Sequence, residues 1–431
     1  MLRPSVPSKI AVLTFVLASC RSGGSATSNT SSAPASREAT PVAIDAGTAP
    51  VRVTWDLNHV LVTGQSLAIG TMGIPPLTKE QPFENVMFDT GVMIGEDTPK
   101  KLVPLVEGDL IPGRVYRVET LASGFANLLG PNHRALVSIH GLGATTYAGL
   151  KMGTKEYNAS LAAVKLARDL QRAENKSYVV SAILNVHGES DHVERTARYA
   201  ELLAEWQRDY ERDVTALTAQ ADPIPFFITQ VSSFTRYGDT TSKIPHEQLA
   251  AHVASPGKVI LVGPKYHLKY GGDGIHLANE GYRQLGEDYA KAYRRVVLER
   301  RAWEPLRPKE LTRSGTSITI RFHVPAPPLV LDTTLVKDPG SYGFSYTDDD
   351  PSPPAITEVK LAGPDVVTLT LASSVDARRS PRVRYAFAGT KGANAGPTSG
   401  ARGNLRDSDA TPSRHGYPLY NWCVHFEAPV P

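Results

Sequence analysis

Five short apolar runs, each separated from the next by a longer stretch, constrain this chain more than any other feature. They are His59–Thr63, Ala135–Ile139, Tyr178–Leu184, Pro225–Thr229 and Lys258–Val262. Runs of five to seven residues without polar alternation suit strands covered on both faces. Helical spacing lies between them. Tyr157–Ala173 reads as one helix and Leu277–Trp303 as the last. Asp191–Ala221 reads as a single long helix, with Val193, Ala197, Ala200, Leu203, Trp206, Tyr210, Val214 and Leu217 on one stripe. Strands alternating with helices predict a doubly wound, mainly parallel α/β domain. Such sheets carry their sites beyond the carboxyl ends of the strands. Glycines follow three of these ends, at Gly64, Gly141 and Gly188.

After Trp303 the pattern changes. Ser317–Phe322 and Val366–Leu371 alternate apolar and polar residues, and Arg382–Ala386 follows. Pro-, Gly- and Asp-rich turns separate them, which predicts a small antiparallel β-sandwich over 304–431, after an α/β domain over 51–303. The 41% apolar and 21% charged residues fit a full-sized core. A net charge of +3 is too balanced to point to nucleic acid, and two cysteines exclude both a disulfide scaffold and a Cys-rich zinc module.

The N-terminus reads as an export signal. Arg3 and Lys9 precede the nine-residue apolar run Ile10–Ala18, too short for a bilayer, which takes about 20 residues. The run ends Leu17-Ala18-Ser19-Cys20, which resembles a bacterial lipobox. That resemblance implies a signal peptide over 1–19, cleavage before Cys20 and lipid on its thiol; an ordinary signal peptide is the alternative. Of the thirty residues Arg21–Pro50, 23 are Ala, Ser, Thr, Gly or Pro, so 20–50 reads as a flexible tether. The implied location is the bacterial cell envelope, with a membrane held through the N-terminal lipid. Cleavage lowers the net charge to +1 by removing Arg3 and Lys9.

The strand ends carry the chemistry. Gly64-Gln65-Ser66 can present a hydroxyl at a tight turn leading into a helix, though an N-capping serine fits as well. In Gly272-Asp273-Gly274-Ile275-His276, Asp273 can hold an imidazole that takes the Ser66 proton; a capping Asp beside an exposed His is the plainer reading. Asn185–Asp191 offers oxyanion donors, or helix capping by Ser190 and Asp191. A metal cluster of His187, Glu189, Asp191 and His192 lacks a defined ligand spacing. His140–Thr145 is glycine-rich but is not followed by the GK[ST] of a phosphate loop. Its Gly141 and Gly143 both offer an unobstructed N–H.

Taken together, GQS at 64–66, HGLGATT at 140–146, GESD at 188–191 and DGIHLANEGY at 273–282 resemble the SGNH (GDSL-like) hydrolase superfamily, and within it the sialate O-acetylesterase-like carbohydrate esterases. The resemblance spans roughly 55–300. Arg384–Ala386, Gly403–Asp407 and Asn421–Cys423 also look like the ends of that family's β domain. It implies a flavodoxin-like three-layer α/β/α domain with a mainly parallel five-stranded sheet, followed by the β-sandwich. It implies Ser66 as nucleophile, Asp273 and His276 completing a triad, and an oxyanion hole of Gly143 and His187. His187 stands where the family usually has a Gln, whose amide donates to the oxyanion. The implied reaction removes O-acetyl groups from a carbohydrate through an acetyl-serine and needs no metal or organic cofactor. Two further readings stay open: a surface glycan-binding lipoprotein whose hydrolase domain is inactive, favoured by His187, and an esterase or lipase acting on a non-sugar ester.

Overall fold

A computed structural model describes residues 55–94, 99–108 and 117–431. The signal peptide, the tether and Cys20 lie outside the described residues.

All five predicted strands form, as β1 (Leu57–Gly64), β4 (Ala135–Gly141), β5 (Tyr178–Val186), β6 (Phe226–Gln230) and β7 (Val259–Pro264). Every residue of β1, β6 and β7 is buried, as runs without polar alternation require. The sheet has seven strands, not five. Two short ones, β2 (Val86–Phe88) and β3 (Leu102–Pro104), extend its edge, with β3 antiparallel and the rest parallel. The order is β3-β2-β4-β1-β5-β6-β7. Counting only the five long strands, this is the order 2-1-3-4-5 of a doubly wound sheet, whose direction of winding reverses at β1.

Helices cover both faces. α1 (Leu121–Leu129) and α6 (Asn279–Tyr293) share a core with Val60, Val62, Val137 and Leu184. α2 (Lys155–Ala173), α4 (Tyr199–Thr218) and α5 (Ile244–Ala254) pack on Leu61, Val180, Ile183 and Phe226 from the other side. Each fully buried Val, Leu or Ile contributes about 1.5–3 kcal/mol relative to exposure, and strands and helices both supply such residues to the core.

Two helices end differently from the sequence pattern. The predicted single helix 191–221 is broken into α3 (Glu189–Val193) and α4. Arg195 and Arg198 take left-handed φ values of 56° and 58°, and Arg195 is tied to Asp239 at 2.6 Å. Val193 and Ala197 are consequently exposed, and the buried stripe begins at Tyr199. The last helix does not reach Trp303. It passes into a π-helix at Arg294–Leu298, where Glu299 N–H donates to the Arg294 carbonyl, and Arg300 then turns left-handed.

The C-terminal region holds antiparallel sheets. β8 (Arg307–Ser314), β9 (Ser317–His323), β12 (Ile356–Gly363) and β13 (Val366–Leu371) form one, in the order β12-β13-β9-β8. β11 (Phe344–Thr347), β14 (Arg382–Tyr385) and β16 (Phe426–Pro429) form a second, and β10 (Val330–Leu331) pairs with β15 (Leu405–Arg406). Alternate residues of β9 and β13 point inward and join Phe344, Val383, Tyr385 and Phe426 in one cluster. The described residues form one compact unit, and this cluster continues into the core of the parallel sheet. The joint is polar as well as apolar. Gln230, at the end of β6, donates to the His425 carbonyl and accepts from the His425 N–H, and Tyr266 donates to the Cys423 carbonyl at 2.7 Å. Cys423 is buried, and burial raises its thiol pKa well above the usual value.

Candidate active site

The end of β1 is forced close to its neighbour. A Cβ on Gly64 would lie 2.2 Å from the Val186 carbonyl oxygen, and its φ of +138° suits only glycine. Ser66 therefore emerges at the carboxyl edge, beside the point where the sheet reverses. It is followed by turns over 66–72, not by the expected helix, with Thr71 N–H donating to the Ser66 carbonyl. It caps no helix.

The loop after β7 returns to this point. His276 Nε2 lies 2.7 Å from Ser66 Oγ, and His276 Nδ1 lies 2.6 Å from Asp273 Oδ2. Asp273 Oδ1 accepts the N–H groups of Ile275 and His276, each at 3.0 Å. Burial alone would raise this carboxyl's pKa, but the His276 imidazole and the two N–H groups outweigh it and draw the value down to about 2. An ionised Asp273 keeps the proton on Nδ1, which leaves Nε2 free to accept from the Ser66 hydroxyl. α6 starts at Asn279 with Ala278 at its cap, so Asp273 serves the imidazole and not the helix.

Of the two glycines, the geometry favours Gly143. Gly141 is in register with Gly64 within the sheet, and a Cβ there would meet the Gly64 carbonyl oxygen at 2.7 Å. A Cβ on Gly143 would lie 3.9 Å from Ser66 Cβ, which sets the two residues side by side. Among the described residues, the N–H groups of Ser66 and Gly143 meet no acceptor.

His187 does not fit the donor role expected of it. It is fully buried, its Nε2 donates to the Thr145 carbonyl at 2.9 Å, and its Nδ1 lies 2.6 Å from the Tyr199 hydroxyl. Burial lowers its pKa, and both ring nitrogens are engaged, Nε2 by the Thr145 carbonyl and Nδ1 by the Tyr199 hydroxyl. No ring N–H remains for an oxyanion. His187 instead holds the loop that carries Gly143. Asp191 holds the same loop by accepting the Tyr147 N–H at 3.0 Å. Ser190 and Asp191 lie inside α3 and do not cap it; Ser190 N–H donates to Gln65 Oε1 at 3.1 Å, which ties this helix to the turn that carries Ser66.

Glu189 and Lys265 form a fully buried ion pair at 3.2 Å, and Lys265 also donates to the Gln230 carbonyl. Lys265 is not among the site residues expected from the sequence, although a lysine directly after a buried strand is a visible signal. His192 turns to Ser242 and Asp239. Glu189 and His192 thus have partners outside this cluster, while His187 Nδ1 and Asp191 Oδ2 face each other at 3.6 Å. No group of three or more His, Cys, Asp or Glu among the described residues is placed to hold a metal ion. No helix among them is long and apolar enough to cross a membrane.

Residues 122–295 match the family model described as carbohydrate esterase, sialic acid-specific acetylesterase. That stretch holds Gly143, His187, Asp273 and His276 and begins after Ser66. The resemblance to sialate O-acetylesterase-like carbohydrate esterases therefore holds over these residues. Among solved structures, a carbohydrate acetylesterase from Xanthomonas citri is similar at 16% identity and a TM-score of 0.55, covering 86% of this chain and 80% of that one. At that identity the likeness is one of fold. A protein from Arabidopsis thaliana is similar at 18% identity and a TM-score of 0.40, covering 55% of this chain and 97% of that one. No curated protein matches the chain.

Proposed function

We propose that the chain is a serine esterase that removes O-acetyl groups from a carbohydrate, a sialate or an acetylated polysaccharide, through an acetyl-serine intermediate. The observation that carries this reading is the relay Ser66–His276–Asp273, with spacings of 2.7 and 2.6 Å, at the reversal point of the sheet. Ser66 Oγ attacks the acetyl carbonyl while His276 Nε2 takes its proton. The N–H groups of Ser66 and Gly143 are the donors for the oxyanion. His276 then returns the proton to the departing sugar hydroxyl. Water, activated by the same nitrogen, releases acetate and restores the serine. The family match and the carbohydrate acetylesterase from Xanthomonas citri both support an acetylated carbohydrate as substrate. The lipobox-like run ending at Cys20 supports anchorage in a bacterial cell envelope, with the tether giving reach from the membrane. Turnover of p-nitrophenyl acetate and of an acetylated glycan, compared with Ser66→Ala, tests the activity; equal rates for the two proteins would rule it out.

A further inference from the structure

Asp273 and His276 sit on a hairpin of loop, not on a regular element. Tyr270 and Leu277 bridge antiparallel, Gly271 N–H donates to the His276 carbonyl at 2.7 Å, and Ala278 N–H donates to the Lys269 carbonyl at 2.9 Å. The turn between them reads Gly271-Gly272-Asp273-Gly274. Three glycines in four positions make such a turn costly to fix in one conformation. Yet general-base catalysis needs His276 Nε2 within hydrogen-bond reach of Ser66 Oγ.

Outside contacts hold the tip of this hairpin. Arg236 Nε donates to the Asp273 carbonyl at 2.9 Å. From the C-terminal region, Ala395 N–H donates to the Gly274 carbonyl at 3.0 Å. Asn394 packs so closely on Gly274 that a Cβ there would lie 2.3 Å from Asn394 Cγ and Oδ1, and Gly274 has a φ of +69°. The segment 389–400 is itself fastened. Thr235 Oγ1 donates to the Ala393 carbonyl at 2.9 Å, and Gly392 N–H donates to the Thr235 carbonyl at 2.7 Å. Ser399 Oγ closes the segment on the Asn394 carbonyl, and Arg402 holds the Gly400 carbonyl. Thr235 and Arg236 are neighbours in the loop after β6, so one grips the segment while the other grips the hairpin.

We infer that segment 389–400, together with Thr235 and Arg236, is a brace that fixes Asp273 and His276 against Ser66. The C-terminal region is then part of the working site and not an appended module. Thr235 and Arg236 are positioning residues. This inference rests on the reading of His276 as the general base, but its geometry can be tested without turnover.

The test uses the full chain with Thr235→Val, Thr235→Ser and Arg236→Ala. Two readouts are taken: kcat and KM on p-nitrophenyl acetate, and the downfield proton resonance of His276 Nδ1–H shared with Asp273. For Thr235→Val and Arg236→Ala we expect kcat roughly 10- to 100-fold lower with KM within about twofold, and a broadened or lost resonance. Thr235→Ser keeps the hydroxyl donor and is expected to restore both. Both variants retaining parental kcat and an unchanged resonance would overturn the brace. Should Thr235→Val fail to fold, Arg236→Ala decides alone, because Arg236 is exposed. A parent that cleaves no ester would count against the esterase reading, and the resonance would still decide the brace.

Discussion

His276 Nε2 lies 2.7 Å from Ser66 Oγ, although the two residues stand 210 positions apart in the chain. The sheet order produces this meeting. β1 is central, β7 is at the edge, and the loop after β7 runs back across the carboxyl ends to the turn after β1.

The placement of His187 predicts an effect on structure and rate together. His187→Ala is expected to lower kcat roughly tenfold and also to lower the melting temperature, since the Thr145 and Tyr199 contacts both go. His187→Gln keeps an amide donor for the Thr145 carbonyl and should lose less of each. A direct oxyanion donor would behave otherwise, costing about 10²–10³ in kcat with stability unchanged. Paired kinetics and thermal melts separate the two outcomes.

The Lys265–Glu189 pair predicts a stability cycle. Removing one partner leaves a buried charge alone, so Lys265→Met is expected to cost about 3–5 kcal/mol in urea unfolding. Adding Glu189→Gln should recover much of that loss. A double variant no more stable than Lys265→Met would show that the pair does not act as a unit.

Stability should fall as the solution is acidified. Burial depresses the pKa values of His133 to about 4, of His140 and His425 to about 3, and also lowers those of His59 and His187. Below an ordinary histidine value of 6.5 the unfolded chain takes up protons that these folded-state rings refuse. His133, His140 and His425 therefore each remove about 1.4 kcal/mol per pH unit between 6.5 and their folded values, and His59 and His187 act in the same direction. Glu287 acts in the opposite sense, because burial raises its carboxyl to about 7. Burial raises the carboxyls of Asp407 and Glu156 as well, and it also lowers the imidazoles of His192, His246, His323 and His415, so the imidazoles outnumber the carboxyls that oppose them. Urea midpoints at about pH 7.5 and about pH 5 should differ clearly, and equal midpoints would contradict the account.

Much of this was legible in the chain because burial on both faces leaves a plain signature. β1, β4, β5, β6 and β7 showed as apolar runs, and Ser66, Asp273 and His276 stood where such strands end. β2 and β3 are three residues each, too short for any period to show. The break at Arg195–Arg198 left the apolar spacing intact across it, so the stripe read as continuous. The position of His187 marked it as special, but its role depends on which carbonyl its ring N–H meets. Thr145 lies 42 residues away and gave no sign of that. The contact of Ala395 on Gly274 joins segments more than a hundred residues apart, and no local pattern encodes it.

The anchor proposal concerns residues outside the described structure and is tested separately. Cys20→Ser should release the protein from membranes, as followed by fractionation and detergent partitioning. Unchanged membrane association would contradict lipidation at that thiol.

The most direct test of the central claim is to trap the acetyl-enzyme. The protein is mixed with excess p-nitrophenyl acetate, quenched in acid within the first turnover and digested, and its peptides are weighed. The account predicts a burst of p-nitrophenol and one acetyl group on the peptide carrying Ser66, both absent in Ser66→Ala. Steady release without a burst, at the same rate in Ser66→Ala and with no acetyl on that peptide, would contradict it.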